Sequence, residues 1–187
     1  MGPSMNIQPT PIPGLMLVET SPHEDARGVF TRLYCERTLA HLIGQRKIVQ
    51  VNHSCTFLTG AIRGLHFQYP PHAEIKLVRC LKGRIWDVAV DLRRDSATFL
   101  CWHATELSPS NSRMMLIPEG FAHGFQVLEP NSELLYLHTA SYTPDAEGGL
   151  RYDDPKLGIS WPLNVTDLSA RDAKHPLIDR NFRGLSQ

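Results

Sequence analysis

The chain has no excess of charge of either sign and no long uncharged apolar run. Its 19 lysines and arginines balance 19 acidic residues in a chain of 187 residues. Without such runs or a basic surplus, the composition predicts a globular protein whose partners include neither nucleic acid nor membrane. Affinity for a phosphate group would have to come from a local cluster of cations.

Cysteine is scarce and unpaired in sequence. Cys35, Cys55, Cys80 and Cys101 form no CxxC motif, which argues against a zinc knuckle or a redox dithiol. The opening MGPSMNIQPTPIPG lacks the basic and apolar regions of a signal peptide, and residues 1–5 are interpreted as an expression remnant. We therefore expect a cytoplasmic protein with four reduced thiols.

The nucleotide-binding and hydrolase signatures GxGxxG, GxxxxGK[ST] and GxSxG are also absent. Short strand patterns dominate instead, as in RIWDVAVDL, MMLIP, GFQVL and ELLYLHTASY, with EPNSE as a turn between the last two. A helix is expected over CERTLAHLIG, ending at Gly44. These features predict one all-β domain over residues 1–187, a jelly-roll sandwich or barrel with a few short peripheral helices.

One segment, GAIRGLHFQYPPHAEIKLVRC, concentrates ionisable side chains without helical spacing. Its members at residues 60–80 are Arg63, His66, His72, Glu74, Lys76 and Arg79. Such a cluster suits either a metal site or an acid/base site for an anionic substrate.

The metal interpretation would use His66, His72 or Glu74, and His123, which supply nitrogen and oxygen ligands. PEGFAH, ending at His123, resembles the second half-motif of the cupin superfamily. The first half-motif would need a second histidine where this chain has Gln68. On a strand, His66 and Gln68 would share one face, so the pocket of the cupin motif is kept although its set of metal ligands is incomplete.

The acid/base interpretation starts from a histidine, which titrates near neutrality and can abstract a proton when a carboxylate orients its ring. Lys76 could stabilise developing negative charge, and Arg63, three residues before His66, could hold a phosphate or carboxylate. Each of these residues alone is more often an ordinary surface or core side chain. Their clustering favours the functional interpretation.

Several longer segments resemble the nucleotide-sugar 3,5-epimerase family. They are RGLHFQ, KLVRC…KGRIWDVAVDLR, IPEGFAHGFQVL, LLYLHTASYTPDAEGGLRYDDPKLGISWPL and LSARD, and the similarity runs from SPHEDARGVF to RDAKHPLID. The resemblance implies a metal-free cupin jelly roll, a homodimer, and an isomerase without a cofactor. Its substrate would be a nucleotide-diphosphate-4-keto-6-deoxy sugar, most often dTDP-linked.

The resemblance also implies roles for individual residues. His66 would be the general base, Asp172 its orienting carboxylate, Tyr136 the acid on the opposite face of the sugar, and Lys76 the partner of the enolate oxygen. The implied substrate-binding residues are Arg63 and Arg27 at the diphosphate, His123 in the pocket, Phe30, Gln50 and Asn52 near the nucleoside or sugar, and also Glu147 and Arg113.

Four places depart from the family pattern. Arg32 stands where a glutamate is usual, Val51 replaces an aspartate, Ser141-Tyr142 replaces paired tyrosines, and Glu74-Ile75 precedes the lysine. The proton-transfer residues are kept, whereas the nucleotide and sugar surroundings have changed. Inversion at C3, C5 or both, a CDP- or GDP-linked substrate, and a ketoisomerase or a metal-dependent oxygenase or sugar isomerase remain open, as does a non-catalytic sugar-nucleotide-binding protein.

Overall fold

A computed structural model describes residues 4–186 and confirms the all-β jelly roll with peripheral helical segments. This part of the chain contains thirteen strands, the helix α1 (Glu36–Ile43) and two 3-10 turns, Pro144–Ala146 and Asp172–Lys174. The strands are β1 (Ser4–Pro9), β2 (Met16–Ser21), β3 (His23–Asp25), β4 (Gly28–Phe30), β5 (Gln50–Thr56), β6 (Ile62–Gln68), β7 (Lys76–Lys82), β8 (Ile85–Asp91), β9 (Trp102–Leu107), β10 (Arg113–Ile117), β11 (Phe121–Val127), β12 (Ser132–His138) and β13 (Glu147–Gly149).

Two antiparallel sheets form the sandwich. One has the order β1-β2-β10-β7-β12-β5 and the other the order β13-β6-β11-β8-β9, while β3 and β4 form a separate hairpin. From β5 onward the chain passes from one sheet to the other at almost every connection. Strands that follow one another in sequence therefore tend to face each other across the interior.

Apolar side chains fill the space between the sheets and also cover both outer faces. Val78, Met115 and Phe125 belong to the cluster between the sheets. Val88 and Val90 of β8 belong to a second cluster, together with residues of the C-terminal segment. The alternation in RIWDVAVDL thus marks a strand buried on both faces.

The predicted helix over CERTLAHLIG is confirmed as α1. Leu39 and Ile43, four residues apart, are its buried side chains, and Gly44 caps its end by donating its backbone N–H to the Ala40 carbonyl. Among residues 4–186, no helix is long and apolar enough to cross a membrane.

All four cysteines are free, as expected for reduced thiols. Cys80 is buried, and burial raises the pKa of its thiol to about 11. It therefore serves as a small apolar side chain of the core.

The expected remnant at residues 1–5 lies partly outside the described residues, because the structure describes nothing before residue 4. Ser4 and Met5 begin β1, where they pair with Ser21 and Thr20 of β2.

A bulge in β6 decides which of its side chains point into the sandwich. Along β11 the pairing moves two residues, from His123 to Phe125, while along β6 it moves three, from His66 to Arg63. The extra residue brings Arg63 and His66 to the same side, although simple alternation would place them on opposite faces. Gly64 sits in this bulge with φ of 121°.

We expect Gly64→Ala to destabilise the protein by about 4 kcal/mol, through backbone strain and a collision. A Cβ at this position would lie 2.5 Å from the Gly124 Cα and 2.7 Å from the His123 carbonyl oxygen. Gly28→Ala is the matched control, because Gly28 has φ of 131° with no heavy atom within 4 Å. Urea unfolding should show a loss of only about 1–2 kcal/mol there. Equal losses in the two variants would contradict this account of the bulge.

Candidate active site

A cleft of about 860 Å³ opens between the two sheets. Its walls come from β5, β7 and β12 on one side, from β6 and β11 on the other, and from the segment that leads to the second 3-10 turn. Ionisable and amide side chains on these walls include Gln50, Asn52, Arg63, His66, Gln68, Glu74, Lys76, His123, Tyr136, His138, Glu147, Arg171 and Asp172.

His66 and Asp172 form a hydrogen-bonded pair in the cleft. The His66 Nε2 lies 2.8 Å from the Asp172 Oδ1, and the other carboxylate oxygen accepts the Gly64 N–H at 3.1 Å. Burial alone would raise the pKa of Asp172, but these two hydrogen bonds hold it well below its usual range. The Asp172 carboxylate at 2.8 Å can only accept, and it lies closer to Nε2 than the Arg171 Nη2 donor at 3.2 Å. Nε2 therefore carries the proton towards Asp172, and Nδ1 keeps the lone pair that a base needs.

Tyr136 projects into the cleft from the opposite sheet. Its hydroxyl lies 3.0 Å from the Ser54 Oγ on the neighbouring strand β5. Burial raises the pKa of the phenol to about 12. Tyr136 is therefore protonated at neutral pH and can act as a proton donor.

Lys76 stands at the first position of β7, with its ammonium 3.1 Å from the Glu74 carboxylate. The second oxygen of Glu74 lies 2.7 Å from the His138 Nδ1. His138 was not among the residues selected from the sequence. LLYLH gives a usable signal, since alternation places His138 on the same face as Tyr136.

His123 lies in the cleft as expected, and it forms a second histidine–carboxylate pair. Its Nε2 is 2.7 Å from the Asp87 Oδ1, and both side chains are buried. The ring also meets the Tyr136 ring edge-on, with centroids 6.4 Å apart. His123 is thus held by β8 and helps to fix the phenol.

Arg171 is a cleft residue that the sequence reasoning missed. Its guanidinium lies 2.7 Å from the Glu147 carboxylate, 3.2 Å from the His66 Nε2 and 3.4 Å from the Asp172 Oδ1. Its position next to Asp172 in LSARD is the signal that could have identified it. The arrangement places positive charge beside the dyad and links the dyad to Glu147.

The ligand set expected for a metal-dependent cupin is not assembled in the described part of the chain. Glu74 pairs with Lys76 and His138, and His123 pairs with Asp87. Within residues 4–186 the group with ligand atoms close enough for one ion is His66, Asp172 and His175, all within 4.8 Å of one another. The ligands of the alternative metal interpretation, His66, His72 or Glu74, and His123, therefore do not converge on one point within the described residues, because neighbouring strands supply other partners.

The cleft thus combines a histidine base oriented by a buried carboxylate and a protonated phenol on the facing sheet. It also contains Lys76, which lines the cavity and pairs with the Glu74 carboxylate. This combination can remove a proton from carbon on one face of a substrate and return one on the other.

Comparison with known proteins agrees with this arrangement. The family model described as dTDP-4-dehydrorhamnose 3,5-epimerase matches residues 9–180. The chain belongs to this family. Membership makes it one of a family of isomerases with a cupin-like fold.

Individual relatives cover nearly the whole chain. The dTDP-4-dehydrorhamnose 3,5-epimerase of Salmonella typhimurium is 44% identical over 91% of this chain and 94% of its own length. A dTDP-6-deoxy-D-glucose-3,5-epimerase from Legionella pneumophila, solved in complex with dTDP-4-keto-L-rhamnose, has a TM-score of 0.91 and 39% identity over 98% of this chain and 100% of its own. The dTDP-4-dehydrorhamnose 3-epimerase of Streptomyces niveus is 36% identical over 90% of this chain and 81% of its own.

Most residues implied by the epimerase resemblance meet at this cleft. Those lining it are His66, Asp172, Tyr136, Lys76, Arg63, His123, Gln50, Asn52 and Glu147. Their convergence is a fact of the fold, and their individual roles remain predictions.

Three of the implied substrate-binding residues do not line this cleft. Arg27 and Phe30 lie in the exposed β3–β4 hairpin, where Arg27 pairs with Asp25. Arg113 begins β10, where it stands opposite Glu19 of β2. The hairpin belongs to neither sheet of the sandwich. Arg113 lies on β10, which β7 separates from the cleft strands β12 and β5.

Proposed function

We propose that the protein inverts C3, C5 or both in a dTDP-linked 4-keto-6-deoxy sugar, through an enolate and without a cofactor, in deoxysugar biosynthesis. The observation that carries this proposal is the cleft itself, which holds the His66–Asp172 pair on one sheet and a protonated Tyr136 on the other. The family model, which matches residues 9–180, supports treating the chain as one epimerase domain.

The chemistry starts from the 4-keto group, which acidifies the C–H bonds at C3 and C5. The His66 Nδ1 takes the proton, and the electron pair of the C–H bond moves onto the keto oxygen to form an enolate. Asp172 stabilises the imidazolium through the proton on Nε2. When the enolate collapses, Tyr136 donates its proton to the opposite face of the carbon, which inverts the centre.

Lys76 is proposed to donate a hydrogen bond to the enolate oxygen. An ammonium group has three N–H donors, and within the described residues Glu74 is the carboxylate that engages it. Loss of one such donor at an oxyanion costs about 3 kcal/mol in other enzymes.

The diphosphate is proposed to bind Arg63, which is exposed at the cleft and lies on the same side of β6 as His66. Gln50 and Asn52 of β5 are proposed to contact the sugar or nucleoside from the other wall. Arg27, Phe30 and Arg113 remain predicted contacts without support from this geometry.

Inversion at C3 alone is the second candidate, since the Streptomyces niveus relative carries the name of a 3-epimerase. Both reactions use the same base, acid and enolate. They differ in whether C5 also reaches the base.

Proton NMR in deuterium oxide with dTDP-4-keto-6-deoxyglucose tests the proposal. The wild-type protein should introduce deuterium at C3, at C5 or at both, and the rate should be unchanged after treatment with a metal chelator. Deuterium at C3 alone would assign the 3-epimerase reaction, and transfer of the carbonyl to C3 would make the protein a ketoisomerase. Absence of both exchange and product would overturn the proposed function.

We also propose a homodimer, as the family resemblance implies. Strand β5 is at the edge of its sheet, and Val49, Val51 and Phe57 in and beside it are exposed. An exposed apolar sheet edge is a favourable surface for pairing with a second copy. Sedimentation velocity that shows only the 21.1 kDa monomer would contradict this proposal.

A cytoplasmic location is proposed as well. The four free cysteines, which include the exposed Cys101, suit a reducing compartment. Recovery of the native protein in an extracellular fraction would contradict it.

A further inference from the structure

Glu74, Lys76 and His138 form a buried hydrogen-bonded cluster on one wall of the cleft. Glu74 and Lys76 are two residues apart in extended chain, and His138 pairs directly with Lys76 across the β7–β12 ladder, so all three side chains point the same way. Their side chains are 9%, 13% and 11% exposed, respectively. One Glu74 oxygen lies 3.1 Å from the Lys76 Nζ and the other 2.7 Å from the His138 Nδ1.

The hydrogen bonds beyond His138 fix which of its ring nitrogens carries the proton. The backbone N–H of Tyr142 can only donate, and it donates to the Gln50 Oε1 at 3.0 Å. The Gln50 amide nitrogen then donates to the Asn52 Oδ1 at 3.2 Å, and the Asn52 amide nitrogen faces the His138 Nε2 at 3.4 Å. Nε2 must therefore accept, and Nδ1 carries the proton that goes to Glu74.

In this chain of donors, each oxygen of the Glu74 carboxylate has a partner. Burial would raise the pKa of Glu74, but the hydrogen bond from His138 and the charge of Lys76 together lower it below its usual value. The Glu74 carboxylate thus faces the Lys76 ammonium on one oxygen and the His138 Nδ1–H on the other. The His138 ring also stacks on the Tyr136 ring, with centroids 6.1 Å apart and planes at 22°.

We infer that Glu74 and His138 are positioning residues for Lys76, which they hold where the enolate oxygen forms. The inference rests on the proposed epimerase function. Lysine has a long flexible stem, and its ammonium stabilises an oxyanion well only when it is already in place. Glu74 restrains the ammonium through one of its three donors, and His138 restrains Glu74.

Glu74→Gln is the decisive variant because it keeps the shape and breaks the donor chain. If the oxygen of the new amide accepted from Lys76, its NH2 group would face the His138 Nδ1. Nδ1 would then have to accept, so the ring proton would move to Nε2. There it would point at the Asn52 amide nitrogen, which is also a donor. We expect kcat to fall about 100-fold, as for a misplaced catalytic group, while KM changes by less than about threefold. Kinetics on dTDP-4-keto-6-deoxyglucose measure both.

A double-mutant cycle separates positioning from general damage. In a Lys76→Met background, Glu74→Gln should lower kcat by less than about twofold further, because the residue that it positions is gone. Multiplicative losses, or a wild-type kcat in Glu74→Gln, would overturn the inference while leaving the epimerase function intact. A wild-type protein without turnover would overturn the proposed function and this role together.

The chain supplies a matched control at its surface. Glu133 also binds one lysine and one histidine, with the Lys82 Nζ at 3.3 Å and the His53 Nε2 at 3.1 Å, but it lies outside the cleft lining. Glu133→Gln should leave kcat and KM at wild-type values. An equal loss in this variant would show that the Glu74 effect is not specific to the cleft.

A second variant and a spectroscopic measurement keep the inference testable if Glu74→Gln folds poorly. His138→Phe keeps a ring against Tyr136 but removes the donor to Glu74, and kcat should fall about tenfold. An unchanged kcat would overturn the role of His138. Independently of turnover, ¹⁵N shifts of labelled histidine should show the Nδ1–H tautomer at His138, and the Nε2–H tautomer would overturn the donor chain.

Discussion

Replacement of His66 by alanine is expected to lower kcat/KM by about 10³–10⁴-fold and to remove solvent exchange at both C3 and C5, since a general base contributes about this much. Among the cleft imidazoles His66, His123 and His138, each paired with a carboxylate, His66 is the most exposed, at 22% against 7% and 11%. Its Nε2 lies 2.8 Å from the Asp172 carboxylate. Without it, the base proposed for the carbon-bound proton is gone, so the enolate should not form. Proton NMR in deuterium oxide measures exchange and product together.

His72→Ala is the control for this variant. His72 lies in the same sequence cluster but is exposed, and its ring contacts Thr143 at 3.3 Å. Its removal should leave kcat/KM within about twofold of wild type, as for a typical surface substitution. Full activity in His66→Ala, or a large loss in His72→Ala, would contradict the base assignment and revive a role for the other histidine.

Replacement of Tyr136 by phenylalanine is expected to separate exchange from inversion. Inversion should fall about 10²–10³-fold, because the acid on the facing sheet is lost. Deuterium should still enter the substrate, but with the original configuration of the carbon retained. His66 can return a solvent-derived deuteron to the face from which it removed the proton. The phenylalanine ring keeps the contacts with His123 and His138, so the wall of the cleft is preserved.

Tyr142→Phe is the matched control for the phenol. Tyr142 also lines the cleft and donates its hydroxyl to Glu147 at 3.0 Å, but its side chain is largely exposed. Its removal should change inversion by less than about threefold, as for an exposed hydrogen bond. If Tyr136→Phe lost exchange and inversion equally, Tyr136 would not be a one-face acid.

Local patterns in the sequence were sufficient for the fold class, for α1 and for four of the thirteen described strands, β8, β10, β11 and β12. Alternation in RIWDVAVDL and the closely spaced turn residues predicted short strands, and Gly44 marked the end of α1. These features depend on residues near one another in the chain, where side-chain direction follows directly from the backbone period. The collinear family motifs narrowed the jelly-roll sandwich or barrel to a cupin jelly roll.

The candidate site was only partly predictable. His66 and Asp172 are 106 residues apart, and the sequence alone gives no distance between them; the family resemblance suggested the pair. The bulge at Gly64 brings Arg63 beside His66, which a regular strand would not do. Arg27 and Phe30 lie on a hairpin outside the cleft, so their contact with the substrate stays a prediction.

The sequence by itself determined the all-β class, the family and part of the strands, and nine of the twelve site residues that it implied line the cleft. Only the tertiary structure decided which side chains contact one another. Examples are His138 with Glu74, Arg171 with His66, and Asp87 with His123. The physical reason is that these contacts depend on the register between strands and segments far apart in the chain. For the strand residues His138, His123 and Asp87, a shift of one residue in that register would turn the side chain to the other face, and no local propensity specifies the register.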